Sequence, residues 1–477
     1  MRTTETGRAA HVVVLGGGPA GLTAALLLAR DGHRVTLLDK DTGAPSGEPE
    51  HAWEQWRRSG VTQFRHPHIL MPGAYRLLTR ELPDAVAALR NAGARTHNML
   101  GGAYDLPAIG GRIDGDDRFD TLAARRPVIE AALAQTAAHS GISIRRETAV
   151  TGFVTTAEGP RITGVVTASG ATIAADLVVD ALGRNSPAGA MLTAAGAAAP
   201  QLHKHDTGFL AYSRYFRSAD GSTPAQATWP LYHHDSLSIT TVPGDAGTWA
   251  LAVFVSGRDR ALRALSDPEA WQRAMALYPD TAHWAAHGEP LTGVLAMSGM
   301  EARHRRLIVD GRPVATGLLS IGDAWATTDP AFGMGITMGM THALLLRDVL
   351  REHGIEDTAK LALRFDEVTE STLGPLYQAT ADWDLHRLAQ IDGEITGVPY
   401  ASDDPNWALR QALEVAKRRD PDVLRAFGDV GSLLSGPDEA LARPGVLDRI
   451  VRLGGGAARY PEAGPARAEL LAVLGAK

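Results

Sequence analysis

A mixed α/β fold, with a parallel βαβ core and a separate antiparallel sheet, is predicted by three stretches of this 477-residue chain. HVVVLGGGPAGLTAALLLAR at 11–30 runs a β-branched segment through a glycine cluster into a helix-forming stretch, and RVTLLD at 34–39 returns as a second strand. GFLAYSRYF, LSITTV and TWALAVFV, all between 200 and 260, are long, aromatic and β-branched, as antiparallel strands are. LLSIGDA at 318–324 then resumes the first pattern. The length exceeds what one hydrophobic core usually supports. We therefore expect a discontinuous nucleotide-binding domain over 8–200 and 301–355, a substrate domain over 201–300, and a C-terminal helical region over 356–477.

Each element follows from local chemistry. The helix of the first crossover is stopped by Asp31-Gly32, and the next strand ends at Asp39. Residues 41–72 lose periodicity and collect Gly, Pro, Trp and His, which predicts a long excursion over the surface. Helices are predicted over 73–90 and 126–140. Short alternating strands follow between 142 and 180, with Glu158-Gly159-Pro160 and Ser169-Gly170 as turns, a β-meander inserted into the α/β unit. Another helix is predicted at 336–353. After Leu363 the chain reads as helical, broken at Ser435-Gly436-Pro437 and Leu453-Gly454-Gly455-Gly456.

Composition excludes several classes. Apolar residues make up 44% and charged ones 21%, the balance of an ordinary globular protein. A net charge of -7, with its arginine pairs scattered, offers no basic field for nucleic acid. The absence of cysteine removes disulfides, thiolate metal sites and dithiol redox chemistry. No run reaches the ~20 apolar residues that span a bilayer, and the first residues lack a secretory signal pattern, so a cytoplasmic protein is expected. His283 and His287 have metal-pair spacing but no accompanying glutamate, and no metal is expected.

The spacing Gly16-x-Gly18-x-x-Gly21 supplies a tight turn, an unobstructed backbone and close packing of helix on strand, which together seat a pyrophosphate at a helix N-terminus. Asp39, about 20 residues on, is placed to accept hydrogen bonds from an adenosine ribose. These features fit NAD and FAD equally. A helix starting near Gly335 would also aim its unpaired amides at a developing negative charge.

DALGRNS at 180–186 and LLSIGDAWATTDPAFGMGITMG at 318–339 resemble the flavoprotein monooxygenases of the p-hydroxybenzoate hydroxylase superfamily, over most of 10–350. The resemblance implies a Rossmann-like FAD-binding domain. In it Gly16, Gly18, Pro19, Ala20 and Gly21 hold the adenosine diphosphate and Asp323 binds the ribityl chain. Asp180 and Gly183 lie near the pyrophosphate, and Arg126 contacts an FAD phosphate. The loop carrying Pro330, Gly333, Met334, Gly335 and Ile336 lies against the N1/C2=O edge of the flavin. Lys40 and Val150 complete the candidate cofactor set.

GVTQFRHPHILMPGAYRLLTRELPD and VVDALGRNSP are closest in style to the flavin epoxidases of polyether biosynthesis. This likeness implies a flavin C4a-hydroperoxide that hydroxylates or epoxidises a small apolar or aromatic substrate in secondary metabolism. His66, His68 and Pro330 are the candidate catalytic residues, the histidines as proton donors or substrate contacts. Three alternatives stand beside this reading: an alkene reductase of the geranylgeranyl reductase type, a flavin-dependent halogenase, and a flavin-binding protein without turnover. Trp53-Glu54-Gln55-Trp56 lacks the halogenase WxWxIP pattern, and Lys40 is the only lysine before Lys204. No second nucleotide unit follows the first, so NADPH or NADH would act directly or through a separate flavin reductase. Trp383, Asp384, His386 and Arg387 are read as a polar-rich helix face that covers the substrate entrance or forms a dimer contact, a solvated helical cap being the commoner outcome.

Overall fold

The computed structural model describes residues 9–45, 48–156, 159–456 and 460–475. Its centre is a five-stranded parallel sheet in the order Leu318–Ser320, Leu177–Asp180, His11–Leu15, Arg34–Leu38, Ser143–Arg145. Val12, Val13, Val14 and Leu15 are fully buried, as a strand covered on both faces requires. Helix Pro19–Arg30 covers one face by burying Leu22 and Leu26 to Leu28, and helix Gly335–His353 packs beside it.

Register decides where this sheet opens. Leu15 pairs with both Leu38 and Asp180, and Asp180 with Ser320, so four strands end level. The chain leaves His11–Leu15 toward one neighbour and returns later to the other. That is the switch point at which open α/β sheets form a crevice beyond their carboxyl ends.

The second layer is an antiparallel sheet in the order Leu231–His234, Leu237–Pro243, Thr248–Ser256, Phe209–Arg217, Glu289–Pro290, with Leu295–Met297 also on the Phe209–Arg217 strand. Thr248–Ser256 is buried along its whole length. Its odd residues Trp249, Leu251, Val253 and Val255 pack on Trp271, Met275 and Trp284 of two covering helices and on Tyr278 between them. Its even residues, with the paired Ala211, Ser213 and Tyr215, face the parallel unit. Buried Arg125 ties the two layers, donating from its backbone amide and guanidinium to Asp245 at 2.7 and 2.6 Å.

Three predicted elements differ. The 73–90 helix is two, Pro72–Glu81 and Pro83–Asn91, because Pro83 lacks the amide that would continue the first. The 126–140 helix ends at Ala138. The 41–72 excursion is no surface loop: it carries a short helix, Pro49–Glu54, and buries Trp53, Trp56, Arg58, Phe64, His66 and Met71. In the meander, the Ser169-Gly170 turn joins Gly159–Thr167 to Thr172–Ala174, whereas Glu158 lies outside the described residues. Helices from Thr358–Thr372 to Arg467–Leu474 form the C-terminal part. Among the described residues no helix is long and apolar enough to cross a membrane.

Candidate functional site

The crevice at the switch point deepens into one cavity of about 530 Å³. Gly16, Asp39, Ala181 and Ile321, each the first residue beyond a parallel strand, form its floor. Gly18, Pro19, Ala20, Lys40, Arg126, Val150, Gly183, Asp323, Pro330, Gly333, Gly335 and Ile336 line it, as do His66 and His68. Ala211, Ala252, Phe254 and Met297 close it from the antiparallel sheet.

The glycines divide the work. Gly16 takes φ +102°, and a Cβ there would lie 2.4 Å from the Ala181 carbonyl oxygen. A Cβ on Gly21 would lie 2.0 Å from the Gly16 oxygen, so Gly21 packs the helix onto the turn and does not reach the cavity. A Cβ on Gly18 meets no protein atom within 4 Å and would project into the cavity. The cradle for a pyrophosphate is therefore real space, kept open by one missing side chain, at a helix N-terminus.

Three sequence-derived positions are placed elsewhere. Asp180 is buried beneath the floor; it accepts from the Leu182 amide at 3.0 Å and the Ser186 hydroxyl at 2.7 Å, so it shapes the 181–186 turn that carries Gly183. Gly21 serves packing. Met334 is buried in an apolar cluster with Ile69, Met71 and Met338. Asp323 does border the cavity. Burial lifts its carboxyl above the usual range, while Arg126, Arg184 and Arg305 pull it down.

Arg58, in the aperiodic 41–72 stretch, organises the Asp39 end of the cavity. Its guanidinium donates to Asp39 at 2.6 Å, to Asp41 at 3.2 Å, to the Gly17 carbonyl at 2.9 Å, and to Glu130. Asp39 Oδ2 also accepts from the Gly17 amide at 3.0 Å and from Arg146 at 3.1 Å. Among the described residues Oδ1 takes only the Asp41 amide, at 3.0 Å, which leaves a lone pair for a ribose hydroxyl. Glu130 passes the network on, accepting from Arg126 Nε at 2.7 Å.

The two histidines are neutral. Nδ1–H of His68 donates to the His66 carbonyl at 2.9 Å, so its Nε2 accepts from Arg126 at 2.9 Å. Burial, then Arg126, hold its pKa well below normal. His66 is lowered to about 4 by burial, and its Nδ1 is hydrogen-bonded to Ser213 Oγ at 2.9 Å. The geometry thus removes the proton-donor role expected for His68, and leaves His66 as a neutral contact at the cavity wall.

A parallel sheet with a glycine cradle at its switch point, a carboxylate at the second strand end and a second carboxylate on the same cavity has the form of a dinucleotide-binding site. The model of the FAD dependent oxidoreductase family matches residues 11–207. By that match and by the relatives that follow, the chain resembles the FAD-dependent oxidoreductases of the p-hydroxybenzoate hydroxylase superfamily. It is 28% identical to the 6-methylpretetramide 4-monooxygenase of Streptomyces rimosus, over 74% of this chain and 77% of that one. It is 25% identical to the menaquinone reductase of Mycolicibacterium smegmatis, over 73% and 78%. Its fold is that of PqsL, a probable FAD-dependent monooxygenase from Pseudomonas aeruginosa, with a TM-score of 0.61 and 17% identity over 82% of this chain and 99% of that one.

Proposed function

We propose that the chain is a monooxygenase that uses reduced FAD and dioxygen to hydroxylate or epoxidise a small apolar or aromatic substrate in secondary metabolism. NADPH or NADH is the electron source, directly or through a separate flavin reductase. The carrying observation is the continuity of one cavity from the Gly18 cradle to the apolar wall of Ala211, Ala252, Phe254 and Met297.

Gly18, Pro19 and Ala20 would hold the diphosphate, Asp39 the adenosine ribose, Asp323 the ribityl hydroxyls and Arg126 a phosphate. FAD bound there would supply the oxygen-activating chemistry, one atom of dioxygen going to the substrate and the other to water. The N-terminus of Gly335–His353 would stabilise negative charge on the ring edge beside it. The apolar wall excludes water and aligns the substrate, and His66 offers it one neutral hydrogen-bonding group. The name of the Streptomyces relative, a monooxygenase, supports this reading.

The menaquinone reductase relative favours a second reading, hydride delivery to an alkene. Halogenation has less support, since Lys40 lies at the Asp39 end of the cavity, far from the apolar wall. The experiment is turnover of reconstituted protein with NADPH and polycyclic phenols under isotopically labelled dioxygen. Label in the product supports the proposal. A saturated product formed anaerobically supports the reductase and overturns it.

A further inference from the structure

We propose that Asp384 is a positioning residue: it donates the one proton it shares with Asp329, and that hydrogen bond fastens the cofactor-facing turn 330–335 to helix Gly374–Thr396. The turn's role rests on the function proposed above; the shared proton does not.

Asp329 opens the turn. Its Oδ1 accepts from the Ala331 amide at 2.8 Å and caps the short helix Pro330–Phe332. Gly333 follows at φ +67°, and Pro330, Gly333 and Gly335 face the cavity. Any tilt of this cap therefore moves the wall on which the flavin would lie.

Behind the cap stands Asp384. Both carboxyls are 1% exposed. Among the described residues no N–H or alcohol donates to Asp329 Oδ2 or to either oxygen of Asp384. What faces each is the other, across the contact where Phe332 of the turn meets Trp383 of the helix. The cation one turn along, Arg387, is committed to the Gln390 side chain, the Tyr460 hydroxyl and the carbonyls of His234 and Leu237. Two ionised carboxylates in contact and away from water repel strongly, and among the described residues neither is paired with a cation, so one proton is retained between them. Burial raises both carboxyls accordingly, the facing charge adding to the rise for Asp384. The adjacent Trp383 meets Phe332 edge-on at 4.9 Å, so the same helix grips the turn through an apolar contact as well.

The inward orientation overturns the expected solvated face: Trp383, Asp384 and Arg387 are all buried, and only His386 lies at the rim, on Tyr400 and Asp404. A core role replaces the cap over an entrance. The C-terminal helices thereby act on the cofactor cavity without lining it.

Infrared spectroscopy of the flavin-free protein near neutral pH tests the shared proton. The carbonyl band of a protonated carboxyl is expected in the wild type and is lost in Asp384→Asn. An unchanged band in that variant overturns the proposal. Flavin titration tests the positioning. In Asp384→Asn the amide donates to an ionised Asp329, and FAD affinity stays near the wild-type value. In Asp384→Ala the donor is gone and affinity falls by roughly ten-fold or more. Wild-type affinity in the alanine variant overturns the positioning role, and if that variant does not fold, the asparagine variant decides through its band and its affinity. A wild type that shows the band but binds no flavin overturns the functional reading alone.

Discussion

Replacing Arg58 with methionine keeps the length of the buried stem and removes its charge. The side chain is 4% exposed, and its carboxylate partners Asp39, Asp41 and Glu130 are 3%, 8% and 0% exposed. In the native protein one guanidinium serves all three and the Gly17 carbonyl. Arg146 remains to serve Asp39, at 3.1 Å, and Arg126 to serve Glu130, at 2.7 Å, so among the described residues Asp41 is left without a cation. Breaking a buried ion pair by removing one partner costs ~3–5 kcal/mol, because the charges left behind are neither solvated nor paired. We expect a loss of that size in urea unfolding followed by tryptophan fluorescence. The double variant Arg58→Met, Asp41→Asn should recover ~1–2 kcal/mol, since the carboxylate left without a cation is then neutral. Glu130 also holds Arg126, which in turn holds His68, so FAD affinity should fall in the single variant. A loss below ~1 kcal/mol, the worth of an exposed pair, would refute the reading of this cluster as a buried hub.

Gly21→Ala places a methyl carbon where 2.0 Å separates it from the Gly16 oxygen, and thermal unfolding should show a loss of ~1–3 kcal/mol or more. Stability should also fall with acid. His66 has a folded pKa of about 4 against ~6.5 when unfolded, so the unfolded chain binds more protons between these values. Its contribution, up to ~3 kcal/mol, is complete above pH ~6.5 and is lost as pH falls toward 4. Unfolding measured against pH should show a shallower acid limb in His66→Asn. Ala252→Leu fills the apolar end of the cavity; flavin titration should match the wild type while substrate turnover fails.

The first crossover was legible because its signals are local. A β-branched run, glycines at fixed offsets and an acid at the next strand end need no distant partner to be read, and Gly16, Gly18 and Asp39 of that motif line the cavity. Asp323 and the Pro330 loop were found by motif resemblance and lie on the same cavity. Arg58 was not legible, because its partners at 17, 39, 41 and 130 converge only after folding, and an arginine in an aperiodic stretch carries no mark of burial. The same holds for 41–72 as a whole: Trp53 and Trp56 were the available clue, since large aromatic groups seldom stay in water. Asp180 was assigned to the cofactor, though a short acid before a glycine-containing turn equally suits capping that turn. Which face of Thr248–Ser256 meets the cavity could not follow from a strand buried on both sides, whose period is silent.

Flavin titration of the purified protein, with Gly18→Val in parallel, probes the central claim. The glycine sits at φ −83° with open space where the side chain would go, so valine should leave the fold intact. We predict saturable FAD binding in the wild type and none in the variant at unchanged unfolding temperature. A wild type that takes up no flavin, or a valine variant that binds it equally well, contradicts the account.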